Sequence, residues 1–248
     1  MRYKDFPSLL NAISVFAPSP QLIAQNIIAM ENMVITATYA SSKCRLAKAL
    51  SGEFSVKQIN LQFSPEAKDV QTRMNRAVLM AATEYSSTLK HKLGTEPASS
   101  IELIRDEIAI NVKPTGYFRA NNKVTFVEVN PRLSLQGNHE LATFMGSIVL
   151  FNKTREGLWY DYSTQGDIAF QLLDMSMKDA EGRRIVTPYL VNSEELLDKE
   201  ELTDRLQMLA EGYKIARTLS HKPRTNKPRS KDKAPMLRLM GIEEDQDN

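Results

Sequence analysis

The order of helix-like and strand-like segments constrains the fold of this chain most. Helical patterns open the chain and include one long stretch, apolar runs that alternate like strands follow, and helical patterns return near the end. No internal repeat links these segments, and strand and helix do not alternate regularly as a doubly wound parallel sheet would require. The sequence therefore predicts an α+β fold, with an antiparallel or mixed sheet built from hairpins and a long helix packed across it.

Prolines, glycines and capping residues set the expected bounds of these segments. The expected helices are one opened by Pro7, one from Pro20 to Ala29, one from Lys43 to Leu50 before Gly52, a long one from Ser64 towards Gly94, and two over residues 167–179 and 193–219. The expected strands are residues 33–39, 54–63, 108–112, 124–129 and 185–191. Two hairpins are expected. One joins residues 108–112 to residues 124–129 with a turn at Asn121-Asn122, and the other joins Ile148–Phe151 to Leu158–Tyr162.

The positive charge of the chain is concentrated at its C-terminal end. The net charge is +2, and residues 214–248 contain nine Lys or Arg against five Asp or Glu. Residues 220–235 contain almost no apolar side chains, so they cannot bury enough surface to offset the entropy of ordering. We expect one globular α+β domain over residues 1–212 and a flexible basic tail over residues 213–248 with an acidic terminus.

The single cysteine and the hydropathy of the chain bear on its compartment. Cys44 cannot form an intramolecular disulfide and cannot by itself build a structural zinc site. Unpaired thiols are typical of the reducing cytoplasm. No stretch approaches the roughly 18 apolar residues of a membrane span. We expect a cytoplasmic protein with no membrane contact and no cofactor.

The string FVEVNPR, residues 126–132, is the motif that most suggests chemistry. Glu128 and Asn130 stand two apart on an expected strand, so their side chains project to the same face and could share a cation. The string resembles the Glu-x-Asn-Pro-Arg stretch of ATP-grasp enzymes, which implies magnesium held by Glu128 and Asn130 near nucleotide phosphates. The alternative is a structural one, in which these residues form the polar face of a half-exposed strand that ends at Pro131.

The same hairpin resembles the core of PD-(D/E)XK nucleases. That resemblance implies a metal that activates water, held by Glu128 as the strand glutamate and by Glu102 or Glu107 as a preceding helix acid. Asn130 stands where that family usually has lysine, and no aspartate occupies the strand before it. We predict a structural role for Glu128 and Asn130 and keep them as the metal-ligand candidates of the alternative.

Aromatic side chains stand beside cations in two segments. These residues are Tyr117, Phe118 and Arg119 in one segment, and Lys153, Arg155, Trp159 and Tyr160 in the other. Such interleaving suits the stacking of unpaired bases, because every base offers a π-face and every phosphate needs a counter-charge. The alternative is that the aromatic rings pack in the core of the sheet.

These patterns together predict a nucleic-acid-binding protein, for single-stranded DNA or RNA, without catalytic activity. The tail residues expected to contact phosphates include Lys222, Arg224, Lys227 and Arg229. The layout is similar to that of some phage and bacterial single-strand-binding proteins, which implies a phage or mobile-element origin and a protein partner for residues 236–248. Two other classes stay open. One is a metal-dependent nuclease or nucleotide-using enzyme centred on Glu128 and Asn130, and the other is a structural or adaptor protein that docks through its tail.

Overall fold

A computed structural model describes residues 7–32, 39–89, 94, 99–104, 108–120, 123–153 and 168–219 of the 248. Within these ranges the chain is α+β, as the sequence predicted. The helices are α1 (Leu9–Ser14), α2 (Pro20–Asn32), α3 (Ala40–Leu50), α4 (Val56–Gln62), α5 (Val70–Ser86), α6 (His139–Lys153) and α7 (Lys199–Leu219). The strands are β1 (Ser99–Ile104), β2 (Ile108–Val112), β3 (Gly116–Ala120), β4 (Lys123–Asn130), β5 (Ile168–Asp174) and β6 (Thr187–Asn192).

Four strands form one mixed sheet in the order β3-β4-β5-β6. The pairs β3–β4 and β5–β6 are antiparallel, whereas β4 and β5 run parallel and are joined through α6. Gly116 is aligned with Val127, so β3 begins opposite the middle of β4. The strands β1 and β2 form a separate antiparallel pair.

Helices cover both faces of this sheet, because its central strands are apolar on both sides. On one face, Phe126 of β4 and Phe170 of β5 pack in a cluster with α1, α2, α6 and α7. On the other face, Val127 and Leu173 pack with α3, α4 and α5. The expected helix across the sheet is therefore present as α5, within a layer of three helices.

The two outermost helices of the first face pack closely. Gly212 lies on α7, and a Cβ atom added there would stand 2.6 Å from Cβ of Ile23 and 3.1 Å from the carbonyl oxygen of Pro20 on α2. Ile23 and Tyr213 are fully buried at this junction. The absence of a side chain at Gly212 thus sets how near α7 can come to α2.

The helix starts read from the N-terminal prolines are confirmed. Ser8 caps α1 by accepting a hydrogen bond from the N–H of Asn11 at 3.4 Å, and α2 begins at Pro20. The helix expected from Lys43 to Leu50 is confirmed as α3, and Gly52 follows its end with a φ of 75°.

The strand expected over residues 54–63 is wrong, because this segment contains α4. Ser55 and Gln58 form a capping box, in which the Ser55 hydroxyl accepts from the Gln58 N–H and the Gln58 side chain accepts from the Ser55 N–H. That reciprocal pair satisfies two backbone donors of the first helical turn. Ile59 is buried and Leu61 is 77% exposed, so the apolar alternation that suggested a strand does not mark one face.

The long helix expected from Ser64 begins instead at Val70. Asp69 caps it by accepting from the N–H of Thr72 at 2.7 Å. Residues 64–69 form a turn, in which the N–H of Ala67 donates to the carbonyl of Ser64. With 17 residues, α5 is about 25 Å long rather than the roughly 40 Å expected.

Three expectations for the later chain are also wrong. The strands expected at residues 108–112 and 124–129 are present as β2 and β4, but they do not form a hairpin together, because β2 pairs with β1 and β4 pairs with β3. Residues 148–151 lie in α6 and do not form a hairpin strand. Residues 168–174 form the buried strand β5 rather than a helix. In the last two cases an apolar run too short to show its period was assigned to the wrong kind of element.

Other expectations meet the structure in part. Residues 187–192 form β6, as expected for an extended segment. The last helix extends to Leu219 with Ala216 buried, so the folded part extends beyond residue 212. Of the strand expected at residues 33–39, residues 33–38 lie outside the described residues, and Tyr39 is the N-cap of α3. The turn at Asn121-Asn122 and the tail from residue 220 also lie outside the described residues. Among the helices that the structure describes, none is long and apolar enough to cross a membrane.

Candidate functional site

The aromatic residues of β3 point to opposite faces of the sheet. Phe118 is buried with the α3–α5 layer, so its ring serves the core and is not available for stacking. Tyr117 is half-buried, with its ring centroid 6.3 Å from that of Phe126. Arg119 is exposed. Of this predicted group, Tyr117 and Arg119 therefore remain at or near the surface.

The second predicted aromatic group falls largely outside the structure. Lys153 is the last residue of α6. The predicted residues outside the described ranges are Arg155, Trp159, Tyr160, Lys222, Arg224, Lys227 and Arg229. The structure thus leaves the predicted stacking surface and the predicted tail contacts as predictions.

Glu128 is the buried acid of β4, with only 2% of its surface exposed. It lies one residue beyond the last β3–β4 pair, Gly116 with Val127, so no strand residue is paired with it on the β3 side. Lys43 of α3 reaches this position, and its Nζ lies 4.0 Å from Oε1 of Glu128. The other oxygen, Oε2, is buried and has no hydrogen-bond partner.

Burial dominates the protonation of this acid. Removal from water raises the pKa of Glu128 to about 7, and the positive charge of Lys43 and hydrogen bonds from Thr115 and the Val129 N–H offset only part of that rise. Both the neutral and the charged forms of Glu128 are therefore populated near neutral pH. The side chain of Lys43 is 49% exposed, so this pair connects the core to solvent.

Asn130 takes part in a separate network that closes the end of β4. Its Nδ2 donates to Oδ1 of Asp174 at 2.6 Å and to the carbonyl of Leu135 at 2.5 Å. Its Oδ1 accepts from the N–H of Arg132 at 3.2 Å. Asp174 is also held by the hydroxyl of Ser176 at 2.6 Å. The carboxamide of Asn130 therefore holds the loop after β4 in place. The half-exposed polar face expected for Glu128 and Asn130 is wrong, because both side chains are buried.

The arrangement around β4 does not favour a shared cation. The ammonium of Lys43 already stands beside Glu128, and a positive charge there opposes a divalent ion. Glu102, expected as a helix acid, lies in strand β1, and Glu107 is outside the described residues. Within the described ranges, no group of three or more His, Cys, Asp or Glu could hold a metal. We assign neither Glu128 nor Asn130 as a metal ligand.

The helices of the second face carry a marked excess of positive charge. We call α3, α4 and α5 together the basic layer. Its cations are Lys43, Arg45, Lys48, Lys57, Arg73 and Arg76. The three helices contain one acid, Glu84, near the end of α5. By contrast, α7 balances four Lys or Arg with four Asp or Glu.

Side-chain amides of α4 hold two arginines of the basic layer. Gln62 accepts from Nε of Arg45 at 2.6 Å. Asn60 accepts from both Nε and Nη2 of Arg76, at 3.1 and 3.0 Å. Because these acceptors are neutral, they fix the direction of each guanidinium without cancelling its charge.

Arg45 has further neutral contacts. Its Nη1 donates to the carbonyl of Ser41 at 2.6 Å and to Sγ of Cys44 at 3.2 Å, and its guanidinium lies 5.6 Å from the ring centroid of Phe63. No carboxylate within the described ranges pairs with Arg45 or Arg76. Atom Nη2 of Arg45 and atom Nη1 of Arg76 thus keep donors for an external acceptor.

Sequence reasoning missed the basic layer, although its signal was present. The net charge of the chain is small, and the closely spaced cations of the tail are the stronger signal in the sequence. A count of acids within each helical segment would have separated α3, α4 and α5 from α7. The capping box at Ser55 was needed first, because it identifies the helix that carries Asn60 and Gln62.

An open groove of about 230 Å³ separates α5 from the segment 179–186. Tyr85 lines it, and burial raises the pKa of its phenol. Across the groove, Arg183 is paired with Asp179 at 2.7 Å, and buried Arg184 donates to backbone carbonyls. The charges of Arg183 and Arg184 are therefore satisfied by groups of the chain itself.

Comparisons with known proteins add little to this geometry. No protein-family model matches the chain, and no curated protein matches its sequence. Among solved structures, the crystal structure of SSO0001 is similar over 82% of this chain and 86% of that chain, with 14% sequence identity and a TM-score of 0.33. A likeness at that level carries no argument about what this chain does.

Proposed function

We propose that this chain is a nucleic-acid-binding protein that contacts the phosphates of single strands through the basic layer and the basic tail. The observation that carries the proposal is the pair Arg45 and Arg76, held by Gln62 and Asn60 and not neutralised by carboxylates. Neutral acceptors hold both guanidinium groups in place and leave their positive charge available to a phosphate.

The geometry of the two arginines suits phosphate recognition. A guanidinium presents several N–H donors in a rigid plane, which matches the oxygens of a phosphate. The amides of α4 limit the rotamers of Arg45 and Arg76 before any ligand arrives, so less entropy is lost on binding. Neighbouring Lys48, Lys57 and Arg73 add to the positive potential, which attracts polyanions from a distance.

The tail contributes to the proposal through composition alone. Residues 220–248 contain seven Lys or Arg against five Asp or Glu, and they are tethered to the last residue of α7. Tethered cations act at a high effective concentration near the folded domain. The basic layer and the tail can therefore contact one strand together.

The test compares charge-removing variants of the layer with a matched control. We expect Arg45→Gln/Arg76→Gln to weaken binding to a fluorescein-labelled single strand of about 16 nucleotides. Each lost phosphate contact lowers the slope of log affinity against log salt by about 0.7, so the double variant should lower it by about 1.4. Lys199→Gln removes an exposed cation from the charge-balanced α7 and should leave the slope unchanged.

Fluorescence anisotropy over a series of salt concentrations gives both quantities. Circular dichroism of each variant establishes that the fold is retained. If folded Arg45→Gln/Arg76→Gln and Lys199→Gln bind with equal affinity and equal salt slope, the basic layer is not the interface. Absence of binding by the full chain at low salt would refute the proposed function as a whole.

A further inference from the structure

We infer that Lys43 is shared between the Glu128 carboxylate and the phosphates of a bound strand, so that nucleic-acid binding is accompanied by proton uptake at Glu128. The inference rests on the proposed function, because it describes how the basic layer is regulated. It gives a role to a buried carboxylate whose Oε2 atom has no partner. Buried polar atoms without partners are rare and costly, so such an atom calls for an explanation.

The groups that lower the pKa of Glu128 come from α3, from the residue ahead of β3 and from β4 itself. Lys43 of α3 supplies a positive charge 4.0 Å from Oε1. Thr115, ahead of β3, and the N–H of Val129 supply neutral hydrogen bonds. Leu172 of β5 is paired with Glu128 and is apolar. A change in the charge of Glu128 therefore acts mainly on Lys43.

Lys43 is placed to leave this pair. Its side chain is 49% exposed, and its ammonium is carried on a flexible four-carbon stem that can turn to solvent. It stands two residues before Arg45 on α3, so the two cations leave the helix on different sides and would meet different phosphates. A strand that follows the basic layer thus gains one more contact when Lys43 is released.

Proton uptake releases Lys43 because it removes the competing negative charge. An ionised Glu128 attracts the ammonium, whereas a neutral Glu128 leaves it to an external phosphate. Burial raises the pKa of Glu128 to about 7, so the exchange falls within an accessible pH range. Coupling is reciprocal, so a phosphate that captures Lys43 favours protonation of Glu128 by the same factor.

The experiment measures affinity of the full chain for the same labelled single strand from about pH 6 to about pH 8 at fixed salt. We expect the wild-type protein to bind the strand about fivefold more tightly at the lowest pH of this range than at the highest. This factor lies at the lower end of the coupling factors usually found between two sites of a protein. Glu128→Gln, which mimics the neutral acid, should bind equally at both ends with the affinity of the acid form. Lys43→Gln should bind weakly at both ends.

Calorimetry in two buffers of different ionisation enthalpy gives a second readout, the uptake of protons on binding. We expect up to one proton per chain for the wild type near neutral pH and a smaller uptake for Glu128→Gln. Circular dichroism at each pH shows whether both variants are folded.

Three results would overturn the inference. A wild-type affinity that does not change with pH, while Arg45→Gln/Arg76→Gln still weakens binding, would refute the coupling and leave the proposed function in place. A pH dependence retained in folded Glu128→Gln would assign the effect to other groups, such as histidines. Failure of every form to bind would refute the proposed function and the coupling with it.

Discussion

Replacement of Glu128 by glutamine isolates the cost of ionising a carboxylate inside the sheet. In the folded chain burial raises the pKa of Glu128 to about 7, from an ordinary value of 4.5. The native state therefore holds a proton that the unfolded state has released throughout the interval between these values. Stability contributed by Glu128 is fully present below pH 4.5 and is lost as the pH rises towards about 7.

The size of this loss follows from the same two values. Each unit between them corresponds to about 1.4 kcal/mol, so the wild-type free energy of unfolding should lose about 3 kcal/mol relative to Glu128→Gln between the two pKa values. Above pH 7 the difference should stay constant, because Glu128 is then ionised in both states. Lys43→Met, which removes the attraction that lowers this pKa, should enlarge the difference.

Urea unfolding followed by far-UV circular dichroism, at several pH values, gives these free energies. Urea is preferred to guanidinium chloride because it does not screen the Lys43–Glu128 pair. Glu53→Gln serves as the control, because Glu53 is exposed. Its free energy of unfolding should change with pH in the same way as that of the wild type. If the free energy of unfolding of Glu128→Gln changed with pH in the same way as that of the wild type between the two pKa values, the carboxylate would not be buried as described.

Two further predictions concern the tail and the core. Truncation after Leu219 keeps α7 intact and removes seven Lys or Arg. If four of these cations contact phosphates, the slope of log affinity against log salt should fall by about 3. An unchanged slope would exclude the tail from the interface. Gly212→Ala should lower the free energy of unfolding by about 2 kcal/mol, because overpacking against Ile23 outweighs the gain of about 1 kcal/mol in helix propensity. Thr218→Ala, on the exposed side of α7, is the control. Equal stability of the two variants would contradict the close packing of α2 and α7.

Local signals in the sequence predicted the parts of the fold that local physics decides. Pro20 fixes its own φ and Gly52 permits a positive φ, so the start of α2 and the end of α3 agree with the prediction. Ser64-Pro65 was read as a helix start, but the cap that forms is Asp69, which bonds the N–H of Thr72. Where two capping candidates stand as close in sequence as Ser64 and Asp69, tertiary packing of the following helix selects between them.

Strand identity could not be predicted as well, because it depends on distant partners. Residues 168–174 are apolar on both faces, a pattern that a buried strand and a buried helix share. They form strand β5 because they pair in parallel with β4, which lies far away in the sequence. The paired residues Asn130 and Asp174, for example, are forty-four residues apart. For the candidate site, the sequence indicated Glu128 and Asn130 but gave no sign of Lys43, since no motif connects α3 with β4.

The close packing of α2 and α7 has a consequence for how the chain is made. Ile23 and Ile27 on α2 are fully buried, yet α7, which contributes to the same cluster, is translated after nearly two hundred residues have already emerged. Chains are synthesised at roughly 5–20 residues per second, so α2 leaves the ribosome many seconds before α7 can cover it. During that interval its apolar face is open to chaperones or to a neighbouring nascent chain. Slow synthesis of the last helix should therefore lower the yield of folded protein more than an equal delay placed after Leu219.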